Sequence, residues 1–208
     1  MRVLCIATHP DDETLGCGGT LLKHARAGAE LHWLIVTAAT RPEWSDEYVV
    51  RQERQIEAAE RAYPFASRTW LKYPAARLES VPLNQLVVEL RRCVEQVRPE
   101  VVFVPNRSDA HSDHRVVFSA SMAVLKSFYL RSHGVTRVLA CETPSETDAA
   151  PALSENAFVP TVFVDVTETF RRKLEIFRCF ETEVQPGFGP RSASSVEALA
   201  RHRGATVG

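Results

Sequence analysis

The segment Met1-Arg2-Val3-Leu4-Cys5-Ile6-Ala7-Thr8-His9-Pro10-Asp11-Asp12-Glu13-Thr14 decides how the rest of the chain is read. Its apolar run, Val3–Ala7, has no polar alternation and ends abruptly at polar residues, as a strand covered on both faces of a sheet should. The run is far too short for the hydrophobic region of a signal peptide or for a membrane span. A buried strand that feeds directly into a polar turn is the opening of a βαβ unit.

Working outward, further β-rich runs occur at Leu31–Thr37, Thr69–Leu71, Val101–Val104, Val138–Cys141 and Val162–Val166, with segments of helical period between them. Leu83, Leu86, Val87, Leu90, Val94 and Val97 recur at three- and four-residue steps, which predicts an amphipathic helix that Pro99 stops. Ser45 before Asp46 and Glu47, and Thr167 before Glu168, read as helix N-caps with acidic first turns, and another helix precedes Gly28. The alternation predicts an α/β fold: a single Rossmann-like domain over residues 1–208, with a mostly parallel sheet flanked by helices. No repeat or linker marks a second domain, and the longest irregular stretch, Thr143–Pro160, reads either as a lid or binding loop or as a disordered segment.

A chain of 208 residues buries roughly 70% of its unfolded surface, so a metal is not needed to hold the core and is free to be catalytic. The formal net charge of −1 gives no basic surplus for nucleic acid or an anionic membrane, which leaves a small molecule as the expected partner. Five cysteines without a Cys-x-x-Cys pair read as reduced core residues of a cytoplasmic protein. A homo-oligomer is left open.

Two polar clusters follow strands one and four: Thr8-His9-Pro10-Asp11-Asp12-Glu13-Thr14 and Pro105-Asn106-Arg107-Ser108-Asp109-Ala110-His111-Ser112-Asp113-His114. Ligands of open α/β sheets bind at that edge, above all where the strand order reverses. Three of the seven histidines fall in these clusters together with Asp11, Asp12, Asp109 and Asp113. Carboxylates crowded in this way repel one another unless a cation or a catalytic proton organises them. A polar turn capping the next helix explains the first cluster alone but not both together. A catalytic zinc takes three ligands from His and Asp or Glu and keeps one position for water, so two histidines and one carboxylate suffice. His9, one of the aspartates beside it and His114 meet that need, and on residue chemistry Asp11 and Asp12 are alternatives. Gly16, Gly18 and Gly19 do not complete a dinucleotide fingerprint, because Leu21 stands at its last position; helix packing is their expected role. Neither a phosphate-binding Gly-x-x-x-x-Gly-Lys-Ser/Thr loop nor a Gly-x-Ser-x-Gly elbow is present.

The pair Ala7-Thr8-His9-Pro10-Asp11-Asp12-Glu13 and Asp109-Ala110-His111-Ser112-Asp113-His114-Arg115 resembles the two-part motif of the PIG-L/LmbE family of zinc-dependent N-deacetylases. The resemblance implies that His9, Asp12 and His114 hold one zinc per chain, and Fe(II), Mn(II) or Co(II) also suit such a set. It implies that Asp11 is the general base, that His111 stabilises the oxyanion or protonates the leaving amine, and that Asp113 orients a histidine. It further implies that Arg51 contacts substrate, and that the substrate is an N-acetyl amino sugar. Two departures bear on that substrate. Pro74-Ala75-Ala76 stands where the family often has a Pro-Asp-Gly-like turn, and Glu181-Thr182-Glu183-Val184-Gln185 replaces a usual Ser-Gln.

Overall fold

The structure is a computed structural model that describes residues 1–208. Five strands, β1 (Arg2–Ala7), β2 (Glu30–Ala38), β3 (Phe65–Pro74), β4 (Val101–Val104) and β5 (Arg137–Ala140), form one sheet in the order β3-β2-β1-β4-β5. Every pairing is parallel. The helices are α1 (Asp12–Arg26), α2 (Asp46–Ala62), α3 (Leu83–Val97), α4 (Ser112–Val124), the single turn α5 (Leu130–His133), α6 (Thr167–Phe177) and α7 (Ala193–Ala205).

The period-two alternation of strand side chains divides the core between the two faces of the sheet. Val3, Cys5 and Ala7 of β1, with Leu31, Trp33 and Ile35 of β2, pack in one cluster under α1, α2 and α6. Leu4, Ile6, Leu34 and Val36 pack in a second cluster under α3 and α4. Both faces of β1 and β4 are therefore filled, which explains their uninterrupted apolar sequences, and each such Leu or Ile contributes about 1.5–3 kcal/mol by its burial. The predicted stripe of α3 buries Leu86, Leu90 and Val94, and the chain leaves that helix through Arg98 at φ 49° before Pro99. No helix is long and apolar enough to cross a membrane.

Two expectations are corrected. Val162–Val166 forms no strand: the segment makes no ladder, and Val162, Phe163 and Val164 remain 56%, 39% and 37% exposed. The β preference of Val and Phe expresses packing on a neighbouring strand, and the sheet ends at β5. The segment is a lead-in to α6, tied to α1 by the Lys23 Nζ–Asp165 carbonyl bond of 2.8 Å. Thr167 is the first residue of α6, and the carboxylate that serves the helix start is Asp165, which accepts from the Thr167 amide at 2.9 Å and its hydroxyl at 2.6 Å. Ser45 does cap α2, accepting from the Tyr48 amide at 3.2 Å. The third strand is also longer than its apolar run, Phe65–Pro74, with two irregular registers against β2.

The glycines of α1 serve close packing, as expected. A Cβ at Gly16 would lie 2.9 Å from Cys141 Cβ and one at Gly19 3.0 Å from Val166 Cβ, while one at Gly18 would collide with the Tyr63 hydroxyl. That hydroxyl is buried and donates to Thr14 Oγ1 at 3.1 Å, so it cannot yield freely. Gly18→Ala is expected to destabilise the protein by about 1–3 kcal/mol in denaturant unfolding despite the better helix propensity of alanine.

Candidate metal centre

The chain leaves β1 for β2 on one side and β4 for β5 on the other, so the order of strands reverses between β1 and β4. The two loops beyond their carboxyl ends meet in the crevice this reversal creates. After β1, the His9-Pro10 turn brings Asp11 to φ 120° and starts α1 at Asp12. The Asp12 side chain turns back on the loop, and its Oδ2 accepts from the His9 amide at 2.7 Å. After β4, His111 is the N-cap of α4: its Nδ1 accepts from the Asp113 amide at 3.1 Å, and His114 falls in the first turn of the helix.

Three donor atoms converge as a result. His9 Nδ1 and His114 Nε2 are 3.2 Å apart, His114 Nε2 and Asp12 Oδ2 3.3 Å, and His9 Nδ1 and Asp12 Oδ2 3.8 Å. Nitrogen and oxygen ligands about 2.0–2.2 Å from a zinc ion, at tetrahedral angles, lie roughly 3.3 Å from one another, so these residues fit a divalent cation. A second grouping, His9, His111 and Asp113, also has nearby donor atoms. Its donors are committed elsewhere: His111 Nδ1 accepts from the Asp113 amide, and Asp113 accepts from the Ala76 amide at 2.7 Å and the Leu78 amide at 3.1 Å.

The outer nitrogens of both histidines meet carboxylates. His9 Nε2 lies 3.1 Å from Asp113 Oδ2, and His114 Nδ1 lies 2.8 Å from Asp109 Oδ2. Such pairs fix the ring and the tautomer and leave the inward nitrogen free to ligate. Asp109 is itself held by Thr147 Oγ1 at 2.7 Å and Asn106 Nδ2 at 3.0 Å. Asp109→Ala is expected to weaken divalent-metal binding by roughly 10–100-fold in a chelator competition, with His9, Asp12 and His114 unchanged.

Electrostatics separate the two adjacent aspartates. Burial alone would raise Asp12, but His114 and His9 outweigh it and hold its carboxyl well below the usual range. Asp11 is pushed well above that range, first by burial and then by Asp12, Glu183 and Glu13, against the opposing charge of Arg191. Only 3% of Asp11 is exposed, and its Oδ2 makes no hydrogen bond. Burial, with the charges of His9 and His114, lowers His111 to about 4, so its ring is neutral near pH 7. That ring sits 4.5 Å from His9, centroid to centroid.

The structure thus brings together His9, Asp11, Asp12, His111, Asp113 and His114. Arg51 makes no hydrogen bond or ion pair with any of them: it is exposed on α2, beside Asp46 and Glu47. The turn at Pro74-Ala75-Ala76 contributes backbone where a carboxylate was missing, since Ala76, at φ 58°, offers its amide to Asp113. In the sequence, Asp109 and Glu13 stand in the crowded segments and Glu183 in the Glu181–Gln185 run with no role assigned at the site, and nothing marks Arg191 or Tyr48. Glu13 Oε2 accepts from the Asp11 amide at 3.1 Å, and Arg191 Nη1 lies 3.7 Å from Asp11 Oδ2.

Residues 4–125 match the PIG-L family, described as GlcNAc-PI de-N-acetylase. The uncharacterized deacetylase YaiS of Escherichia coli K12 is 27% identical over 173 residues, 81% of this chain and 83% of YaiS. Among solved structures, N,N′-diacetylchitobiose deacetylase from Pyrococcus horikoshii superposes with a TM-score of 0.79 at 20% identity, covering 100% of this chain and 79% of that one. GalB, the 4-carboxy-2-hydroxymuconate hydratase of Pseudomonas putida KT2440, superposes with a TM-score of 0.70 at 16% identity, covering 99% and 86%. A fold shared by a deacetylase and a hydratase leaves the reaction to be argued from the site.

Proposed function

The chain belongs to the PIG-L family, and from that premise we propose that it is a zinc-dependent N-deacetylase that removes the acetyl group of an N-acetyl amino sugar, releasing acetate and a free amine. The observation that carries this reading is the convergence of His9 Nδ1, Asp12 Oδ2 and His114 Nε2 beside a buried carboxylate, Asp11, that is not one of the three.

His9, Asp12 and His114 would hold the metal, which when bound polarises the acetamide carbonyl and acidifies water. Asp11 takes the proton of the attacking water through its unpartnered Oδ2; a carboxyl raised by burial is a stronger base than one in solvent. His111 is neutral, and because its Nδ1 accepts a backbone amide, its Nε2 carries the hydrogen. That N–H is available to the oxyanion as the carbonyl carbon becomes tetrahedral. Asp113 and Asp109 keep His9 and His114 in register, and the proton taken by Asp11 is then available to the leaving nitrogen.

One observation favours a second reading, an amide other than an acetylated sugar. The turn at Pro74–Ala76 offers no carboxylate to a sugar hydroxyl. Acetate and amine release from a panel of N-acetylhexosaminyl conjugates, run beside simple amides of increasing acyl length, separates the two. The sugar reading expects turnover confined to acetylated sugars, and it fails if simple or longer-chain amides are cleaved faster than every sugar.

A further inference from the structure

Asp11 has its backbone anchored and its carboxylate free. Its amide donates to Glu13, its carbonyl accepts from the Thr14 amide at 2.9 Å and the Leu15 amide at 2.8 Å, and its buried Oδ2 makes no hydrogen bond. Its φ of 120° is a backbone conformation that few L-residues adopt. The cation that faces it comes from far along the chain. Arg191 Nη1 lies 3.7 Å from Asp11 Oδ2 and 2.7 Å from Glu183 Oε2. Glu183 in turn accepts from the Tyr48 hydroxyl at 2.7 Å and the Thr182 hydroxyl at 3.0 Å, which ties the segment after α6 to the first turn of α2.

We propose that Arg191 is a positioning residue: its guanidinium, fixed by Glu183 and Tyr48, aims the Asp11 carboxylate at the metal centre. This rests on the reading of Asp11 as the base. A purely structural ion pair would be complete with Glu183, yet Nη1 stands between two carboxylates, and Arg191 Nε is buried without a hydrogen bond. Donor capacity on Arg191 and acceptor capacity on Asp11 therefore remain on two side chains in contact. A group that both accepts and donates, such as the attacking water or a substrate hydroxyl, satisfies them together. Arg191 and Glu183 lie beyond residues 4–125, so this element belongs to a part of the chain that the family match does not cover.

The test compares wild type, R191A, R191K and E183Q on the N-acetylhexosaminide panel, with zinc affinity measured on the same proteins and crystal structures of wild type, R191A and R191K. R191A is expected to lose roughly 10²-fold in kcat with KM and zinc affinity nearly unchanged, as a misaimed reacting group does. Added guanidinium restores part of that rate, which a merely structural loss would not allow, and E183Q falls between. In the crystal structures, the Asp11 carboxylate leaves its wild-type rotamer in R191A and keeps it in R191K. A wild type inert on the whole panel overturns the deacetylase reading, and the position of Asp11 in R191A then decides the role of Arg191 by itself. An R191A protein with wild-type kcat, or one whose Asp11 has not moved, overturns the proposal.

Discussion

Asp11→Asn is expected to lower kcat by roughly 10²–10⁴-fold while the protein keeps its zinc. The substitution changes no volume and removes the one function proposed for this side chain, acceptance of a proton. Its effect on folding has the opposite sign. Asp11 is buried beside Asp12, Glu13 and Glu183, and these carboxylates and the burial all oppose its charge. A neutral amide removes that repulsion and gives up only the distant contact with Arg191. D11N should therefore unfold at the same denaturant concentration as wild type or a higher one, and lost turnover cannot be blamed on lost structure. D12N supplies the contrast: its carboxylate is one of the three converging donors, so zinc leaves with the activity. Metal content and kcat measured on both variants assign the roles, and zinc lost from D11N but kept by D12N would exchange them.

His114→Ala should weaken zinc binding by more than about 10²-fold, beyond what loss of an outer-shell partner causes. It should also destabilise the metal-free protein. His114 is buried between Asp12 and Asp109, which outweigh the cost of burying the ring and raise it well above the ordinary histidine range. Removing it leaves the buried Asp109 and the partly buried Asp12 without that partner, and breaking a buried pair in this way costs about 3–5 kcal/mol. Chelator competition reads the first effect and denaturant unfolding of the metal-free proteins the second. Both are expected in H114A. Neither the affinity nor the stability effect should be large in H111A, whose ring is half-buried and does not join the three converging donors.

How much of this was legible in the sequence depends on how local each signal is. β1 and β4 could be read because a strand buried on both faces is apolar without interruption, and the chemistry at their ends was conspicuous because several histidines and aspartates stood in two short runs. Val162–Val166 is as rich in strand-forming residues and is no strand, because such a run carries no record of whether a neighbouring strand exists to receive it. Asp165 displaced Thr167 as the group serving the start of α6 for a similar reason: both are good caps, and only the backbone path chooses. Within the site, the choice between Asp11 and Asp12 came from family resemblance; the convergence of Asp12 Oδ2 with two imidazole nitrogens now supports it on geometry. Asp109 lay in a quoted motif, yet its role as the partner of His114 depends on how the loop folds over Thr147. Arg191 left no local signal, and Glu183 stood out only within the run that departs from the family's usual Ser-Gln. They stand some 170–180 residues from Asp11 in sequence and reach it only because α6 returns the chain across α1.

Metal-dependent amide hydrolysis is tested most directly by one measurement: acetate released from the N-acetylhexosaminide panel by the same protein sample as stripped by chelator and as reloaded with one zinc per chain. The stripped protein is expected to release none, and the reloaded protein one acetate for each free amine formed. Equal turnover by the stripped and reloaded samples, or no acetate from any sugar after reloading, would contradict it.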